Sequence, residues 1–250
     1  MLTRILPVFL LYALALTVAL WRNGFRASTA RPHTVTERTV TRVLIVGATG
    51  GTGRHLVAQA LERGYEVTAL VRNPAALAVG HARLRVVQGD VLDAAVVAQA
   101  VQGQDAVISA LGHKRFLGPT RILSGGTRNL LRAMEAHGVR RFVCETSLGI
   151  GDSAGRMGLT YTLFVIPVIL PFYFWDKTRQ EAAIASSGVE WVVVRPGALT
   201  DGAARGAWRS GRGLGSFVST VRISRADVAH FMLDQATDGA HVGSAVGVCW

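Results

Sequence analysis

The stretch VGATGGTG, residues 46–53, constrains the fold more than any other feature of the chain. Gly47, Gly50 and Gly53 recur at every third position, directly after the apolar run RVLIV (42–46) and before RHLVAQALERG (54–64). A strand that turns sharply into a helix needs residues without a Cβ where the turn is tight. It needs them again where backbone approaches a ligand and where the helix packs on the strand. Glycines spaced GxxGxxG in that setting form a cradle, in which backbone N–H groups and the positive end of the helix face an anion such as pyrophosphate. The spacing therefore points to a bound dinucleotide.

The rest of the chain continues the same alternation. YEVTALV (65–71), LRVVQGD (84–90), DAVISAL (105–111), RFVCETS (141–147) and EWVVVRP (190–196) read as buried strands. Helical patterns lie between them at about 93–102, 124–137 and 176–187, and SRADVAHFML (224–233) opens with a capping-box pattern, Ser224 and Asp227. Strand and helix alternating in this way predict an α/β fold, a Rossmann-type doubly wound parallel sheet, over residues 42–250.

What lies before residue 42 has a different character. Residues 5–21, ILPVFLLYALALTVALW, carry no charge. As a helix they would span roughly 25 Å, just short of the ~30 Å hydrocarbon core of a bilayer. Arg4 precedes them, while Arg22, Arg26 and Arg31 follow. The expectation is an N-terminal hydrophobic anchor helix (1–21) and a juxtamembrane linker (22–41), with the catalytic domain facing the cytoplasm by the positive-inside rule. A cleaved signal peptide is the competing reading. Its nearest small-x-small site, Ser28 to Ala30, lies far from the apolar run and among arginines. A second apolar stretch, GLTYTLFVIPVILPFYFW (158–175), contains Pro167 and Pro171, which argue against a simple spanning helix. It reads as a lid over the active site, within an apolar insert at 148–175, or as an interfacial element that dips into the bilayer beside the anchor.

Charge and cysteine content narrow the classes further. The formal net charge is +11, but 25 of the 27 basic residues are arginines scattered along the chain. No aromatic RNA-binding motif, helix-turn-helix signal or zinc-finger spacing accompanies them, so no nucleic-acid partner is expected. Cys144 and Cys249 offer neither a disulfide framework nor metal-ligand spacing, and Cys144 reads as a small core residue. No metal is expected.

The end of the second strand reports which dinucleotide binds. An NAD site usually has an acidic residue there for the ribose 2′-hydroxyl. Here the strand ends LVRN, which puts Arg72 at that tip. A guanidinium can pair bidentately with a 2′-phosphate, so the expected cofactor is NADP(H), with Arg54 as a second cation. Asp90, at the end of the third strand, is a candidate for the adenine amine. Leu111 and Gly112, at the end of the fourth, suit close backbone approach to the cofactor.

Together, VLIVGATGGTGRHLVAQALERGYEVTALVRNPAAL, VVQGDVLD, GQDAVISALG, GTRNLLRAMEAHGVRRFVCETS, SGVEWVVVRPGALTDG and ISRADVAHFML resemble the atypical short-chain dehydrogenase/reductases. They are most similar to the branch with biliverdin-IXβ reductase (flavin reductase) and the NmrA-like NAD(P)-binding proteins, over roughly residues 42–236. The resemblance implies a Rossmann fold that binds NADP(H), with substrate over the nicotinamide at the carboxyl ends of the strands. By position it implies cofactor contacts at Gly47, Thr49, Gly50, Gly51, Thr52, Gly53, Arg72, Asp90, Val91, Leu111, Gly112 and Ser147. YFWDK adds Tyr173 and Lys177 at the YxxxK spacing of the broader superfamily, one face of a helix. There Lys177 would hold ribose hydroxyls, Tyr173 would donate or accept a proton as hydride moves, and Ser147 would hydrogen-bond the substrate oxygen. Tyr173 also reads as core, since it ends an apolar run.

The expected function is an NADPH-dependent oxidoreductase that passes hydride to a small, conjugated, apolar acceptor: a flavin, a biliverdin-like tetrapyrrole or a quinone. Phe116, Trp175, Trp208 and Phe217 are candidate lining residues. Membrane contact is expected through 5–21 and through 158–175, and oligomeric state is left open. Two alternatives stand: a non-catalytic NADP(H)-binding redox sensor or scaffold of NmrA type, and a nucleotide-sugar epimerase or dehydratase.

Overall fold

Val43, Leu44, Ile45 and Val46 are each no more than 1% exposed, as only a strand covered on both faces allows. The computed structural model describes residues 39–250 apart from 114, 116 and 117. It places this strand, β1 (Arg42–Val46), inside a sheet whose order is β3 (Leu84–Gln88), β2 (Glu66–Val71), β1, β4 (Ala106–Ser109), β5 (Arg141–Glu145), β6 (Glu190–Pro196), β10 (Ser244–Cys249) and β8 (Arg209–Gly211). All neighbours pair in parallel except β8, which runs antiparallel to β10. A short separate pair, β7 (Ala198–Thr200) with β9 (Arg222–Ser224), lies outside it.

The period-two alternation of β1 sorts its side chains between two cores. Val43 and Ile45 pack with Leu56 and Val57 of α1 (Gly51–Glu62) and with Val228, Phe231 and Met232 of α5 (Arg225–Thr237). Leu44 and Val46 face Val97 of α2 (Ala94–Val101), Leu130 and Met134 of α3 (Ile122–His137), and Ile184 of α4 (Pro171–Ala185). Each fully buried aliphatic side chain contributes about 1.5–3 kcal/mol. The expected doubly wound α/β architecture is thus observed, with helices on both faces.

Helix ends follow local chemistry. Asp93 caps α2 by accepting from Ala95 N and Val96 N. Ser224 caps α5 by accepting from Asp227 N at 3.0 Å, as its capping-box pattern predicts. Gly138 ends α3 in the left-handed conformation at φ +70°. The N-terminus of α3 is held differently. No side chain of its own segment caps it. Instead the fully buried carboxylate of Asp176, on α4, accepts from Leu123 N (2.9 Å) and Ser124 N (3.2 Å).

Several sequence expectations need correction. Strand β10 carries little sequence signal of its own, because SAVGVC is short, small and glycine-containing. The apolar stretch 158–175 is not one helix: Tyr161–Ile169 winds as a π-helix around Pro167, and Pro171 opens α4 at a position where its missing N–H costs nothing. The expected N-terminal hydrophobic helix (1–21) and most of the linker (22–41) lie outside the described residues. Among the described residues no helix is long and apolar enough to cross a membrane, so the membrane-anchored, cytoplasm-facing localisation is withdrawn.

Asp176→Ala leaves two buried N–H groups without acceptors. It is expected to lower the unfolding free energy by about 1–3 kcal/mol in urea titrations, and a change under 0.5 kcal/mol would contradict the inter-helix cap.

Candidate functional site

The strand order reverses between β1 and β4, so the loops leaving their carboxyl ends diverge to opposite faces and open a crevice. The glycine motif forms one wall of it. Gly47 has φ +82°, and a Cβ there would overlap the carbonyl of Ala110 just beyond β4. A Cβ on Gly53 would overlap the Gly47 carbonyl itself. Gly50 N–H donates back to Gly47 O at 2.9 Å, which closes the turn, and Arg54 N–H donates to Gly50 O at 3.0 Å. Among the described residues no hydrogen bond occupies the N–H groups of Gly51, Thr52 and Gly53 at the start of α1. Three unclaimed donors at a positive helix end, in a cradle that side chains would fill, fit the diphosphate of a dinucleotide.

The residues expected at the adenosine end follow β2 and β3. Arg72, directly after β2, is exposed, and no carboxylate pairs with it among the described residues. Arg54 reaches over the same loop and donates to Ala76 O at 3.5 Å. The Asp90 carboxylate accepts from Leu92 N at 2.9 Å, so one of its oxygens serves the local turn. Val91 is buried against Gly126 of α3, where a Cβ would meet its Cγ1 at 2.6 Å. Thr49 is half-buried at the tip of the glycine turn, and Leu111 is half-buried beyond β4.

On the other side of the crevice, α4 presents Tyr173 and Lys177 together. Lys177 is buried, donates to the main-chain carbonyl of Glu145 at 3.5 Å, and sits 5.2 Å from the Tyr173 ring centre. The Tyr173 hydroxyl is 3.6 Å from the position of a Cβ on Gly112, which ties the phenol to the end of β4. Ser147 is half-buried just past β5.

The dispersed histidines gave no sign that one belonged here. His113 packs edge-on against Tyr173 at 4.9 Å between ring centres. Its Nδ1 accepts from Arg115 N at 3.2 Å, which leaves Nε2 to donate to Thr120 Oγ1 at 3.0 Å. Thr120 in turn donates to Asp176 at 3.4 Å. Burial lowers the His113 pKa; the nearby Asp176 carboxylate opposes this, while Lys177 and Arg115 reinforce it. The ring is therefore neutral at pH 7.

Glu145 is a second addition. It accepts from Thr52 Oγ1 at 3.0 Å, so the buried ends of β5 and α1 are bonded beneath the crevice. Burial raises its pKa against the pull of Lys177, Thr52 and Arg225. Cys144, one residue earlier, is fully buried, and its thiol is pushed up to about 12 by that burial, which leaves it inert.

Of the candidate lining residues, Trp175 lies on α4 under the Arg179 guanidinium, and Phe217 is 58% exposed. Trp208 packs on Phe231 and His230 of α5, away from this crevice, and Phe116 lies outside the described residues. A separate cavity of about 400 Å³ opens at the amino-terminal edge of the sheet, lined by Arg42, Thr68, Arg85 and Gln104. It forms no part of the site.

A sequence profile described as NAD(P)H-binding matches residues 47–239. The chain belongs to the NAD(P)H-binding family. This agrees with the resemblance drawn from the motifs and with the expectations of an oxidoreductase and an NAD(P)H cofactor. Within the family it is 37% identical over 117 residues to a 3 beta-hydroxysteroid dehydrogenase/Delta 5-->4-isomerase of Mycobacterium tuberculosis, covering 42% of this chain and 31% of that protein. It is 28% identical over 184 residues to the chloroplastic protein TIC 62 of Pisum sativum, covering 63% and 32%. The chain thus spans about a third of the length of these curated relatives. Among solved structures it is similar to ChuY, an anaerobillin reductase from Escherichia coli O157:H7. There the TM-score is 0.69 and the identity 27%, over 84% of this chain and 97% of that one.

The Glu145 environment gives a signed prediction. An acid whose pKa is raised on folding holds extra proton in the folded state, so its contribution to stability declines as pH rises above its ordinary value of 4.5. Glu145→Gln keeps the acceptor for Thr52 and removes the charge. It is expected to melt above the parent at pH 8, with the difference vanishing near pH 4; a lower melting temperature at pH 8 would show that the ionised carboxylate is what stabilises this floor.

Proposed function

We propose that this chain is an NADPH-dependent reductase of a conjugated, apolar acceptor, with a biliverdin-like tetrapyrrole, a flavin or a quinone as the candidate classes. The observation that carries the reading is the pairing of the glycine cradle at the switch point with the Tyr173–Lys177–His113 cluster. When bound, NADPH supplies a hydride.

The chain's own residues do the rest. Gly51, Thr52 and Gly53 offer N–H donors to the diphosphate, and Arg72 with Arg54 offers cations to the 2′-phosphate. Lys177 holds ribose hydroxyls, and the phenol of Tyr173, fixed between His113 and Lys177, stands as proton donor to the reduced acceptor. Ser147 hydrogen-bonds an acceptor oxygen. Position contributes more than acid–base power here, because a bound hydride donor needs its acceptor aligned.

The apolar character of the acceptor rests on an exposed apolar surface of the chain. Gly158 N–H donates to Ser216 O at 2.8 Å and Leu159 N–H to Val218 O at 3.3 Å, which joins the π-helical segment to the 216–218 loop. Leu163 and Phe164 on the first, and Phe217 and Val218 on the second, are all more than half exposed. Such a surface suits a ring system or an apolar tail. The likeness to ChuY favours a tetrapyrrole among the three classes.

Two measurements test this. Arg72→Ala is expected to weaken NADPH binding by about tenfold or more and leave NADH unchanged; equal affinities in parent and variant would reject the 2′-phosphate assignment. NADPH oxidation with FMN, biliverdin and a quinone should show turnover with at least one acceptor and a fall of about 10²-fold or more in kcat for Lys177→Ala. Tight NADPH binding with no turnover on any acceptor would instead favour the sensor or scaffold role.

A further inference from the structure

The space above Gly51 is not empty. A Cβ built on Gly51 would lie 2.5 Å from both Cδ and Nε of Arg225, so the arginine arm occupies the place a side chain at residue 51 would take. Arg225 comes from the far end of the sequence, as the first residue of α5. A cation at a helix N-terminus is locally unfavourable, because the exposed N–H groups there already carry positive partial charge. Its one ion pair among the described residues is with Asp201, at 2.6 Å, whose side chain is 87% exposed while Arg225 is 26% exposed. A pair with one partner almost wholly in water is a weak tether. The arm thus lies against Gly51, in a turn with three unclaimed N–H donors, paired to an exposed Asp201 and drawn electrostatically by the buried Glu145.

We infer that Arg225 is a diphosphate-binding arm that exchanges its Asp201 partner for the cofactor's diphosphate when the dinucleotide binds. Gly51 is glycine because Arg225 must lie across it. The arm adds a charge-assisted, bidentate donor to a cradle otherwise built only from backbone N–H groups. Asp201 holds it in place in the free protein and competes with the ligand. This rests on the NADPH reading above and names a residue that the glycine motif does not contain.

Calorimetric titration with two probes separates the two ideas. NADPH carries the diphosphate, whereas adenosine 2′-monophosphate carries only the phosphate assigned to Arg72. Arg225→Ala should bind NADPH about tenfold more weakly and adenosine 2′-monophosphate as the parent does. Arg225→Lys should fall between parent and R225A for NADPH. Asp201→Asn, which frees the arm beforehand, should bind NADPH about two- to fivefold more tightly. If R225A does not fold, as judged by its thermal melt, D201N decides alone. NADPH affinity unchanged in R225A, an equal loss for both probes, or unchanged or weaker NADPH binding by D201N overturns the exchange while leaving the cofactor site standing. A parent chain that binds no NADPH overturns the cofactor site itself.

Discussion

The whole arrangement depends on three backbones approaching more closely than any side chain would permit. Gly53 rests on the carbonyl of Gly47, and Gly47 rests on the carbonyl of Ala110. The first contact brings the start of α1 against the end of β1; the second brings the end of β4 against both. Because interiors pack at crystal-like density, one added methyl at either point has nowhere to go without moving a helix or strand. The crevice, the direction of α1 and the three unclaimed N–H groups are all consequences of that packing.

Beneath the crevice, polar groups replace apolar ones in a layer that links β5, β6, α1 and α4. Thr52 bonds Glu145, and Lys177 bonds the Glu145 carbonyl. One residue on, Thr146 donates to Glu181 at 2.6 Å, and Glu181 receives both Nε and Nη2 of the buried Arg195. Asp152, in the loop after β5, completes the pairing of Arg195. Such satisfied buried networks fix geometry more than they add stability, which suits the floor of a binding site. Basic groups accompany it: Lys177 at the Glu145 carbonyl, Arg225 at Gly51, and Arg54 and Arg72 by the loop after β2. The proposed cofactor, with a diphosphate and a 2′-phosphate, is an anion that such groups suit.

Much of this was legible in the residues. Glycine spacing between an apolar run and a helical pattern fixes the turn because only glycine tolerates those contacts, and strand-helix alternation fixes the sheet because parallel strands need crossover helices. Tyr173 and Lys177 could be paired because helical spacing puts i and i+4 on one face. What sequence reasoning missed depends on contacts between distant segments. Nothing local to His113 shows that Tyr173 will pack on it, and nothing near Arg225 shows that it will cross Gly51. Asp176 reads as an ordinary helix residue until α3 is placed against it. The one faint signal for Arg225 was a cation at the first position of a capped helix, where an acid is the usual choice. The anchor expectation rested on hydropathy, flanking arginines and a poorly placed cleavage site, and concerned residues outside the described structure.

The most direct test of where the cofactor sits is amide hydrogen exchange followed by mass spectrometry, with and without NADPH. The N–H groups of Gly51, Thr52 and Gly53 exchange quickly when nothing bonds them. On NADPH binding, slowed exchange is expected in peptides spanning 47–54 and 110–113. Peptides lining the amino-terminal cavity, around 83–85 and 102–104, should be unaffected. Protection confined to that edge, or none at 47–54 under saturating NADPH, would contradict the assignment of the glycine cradle as the dinucleotide site.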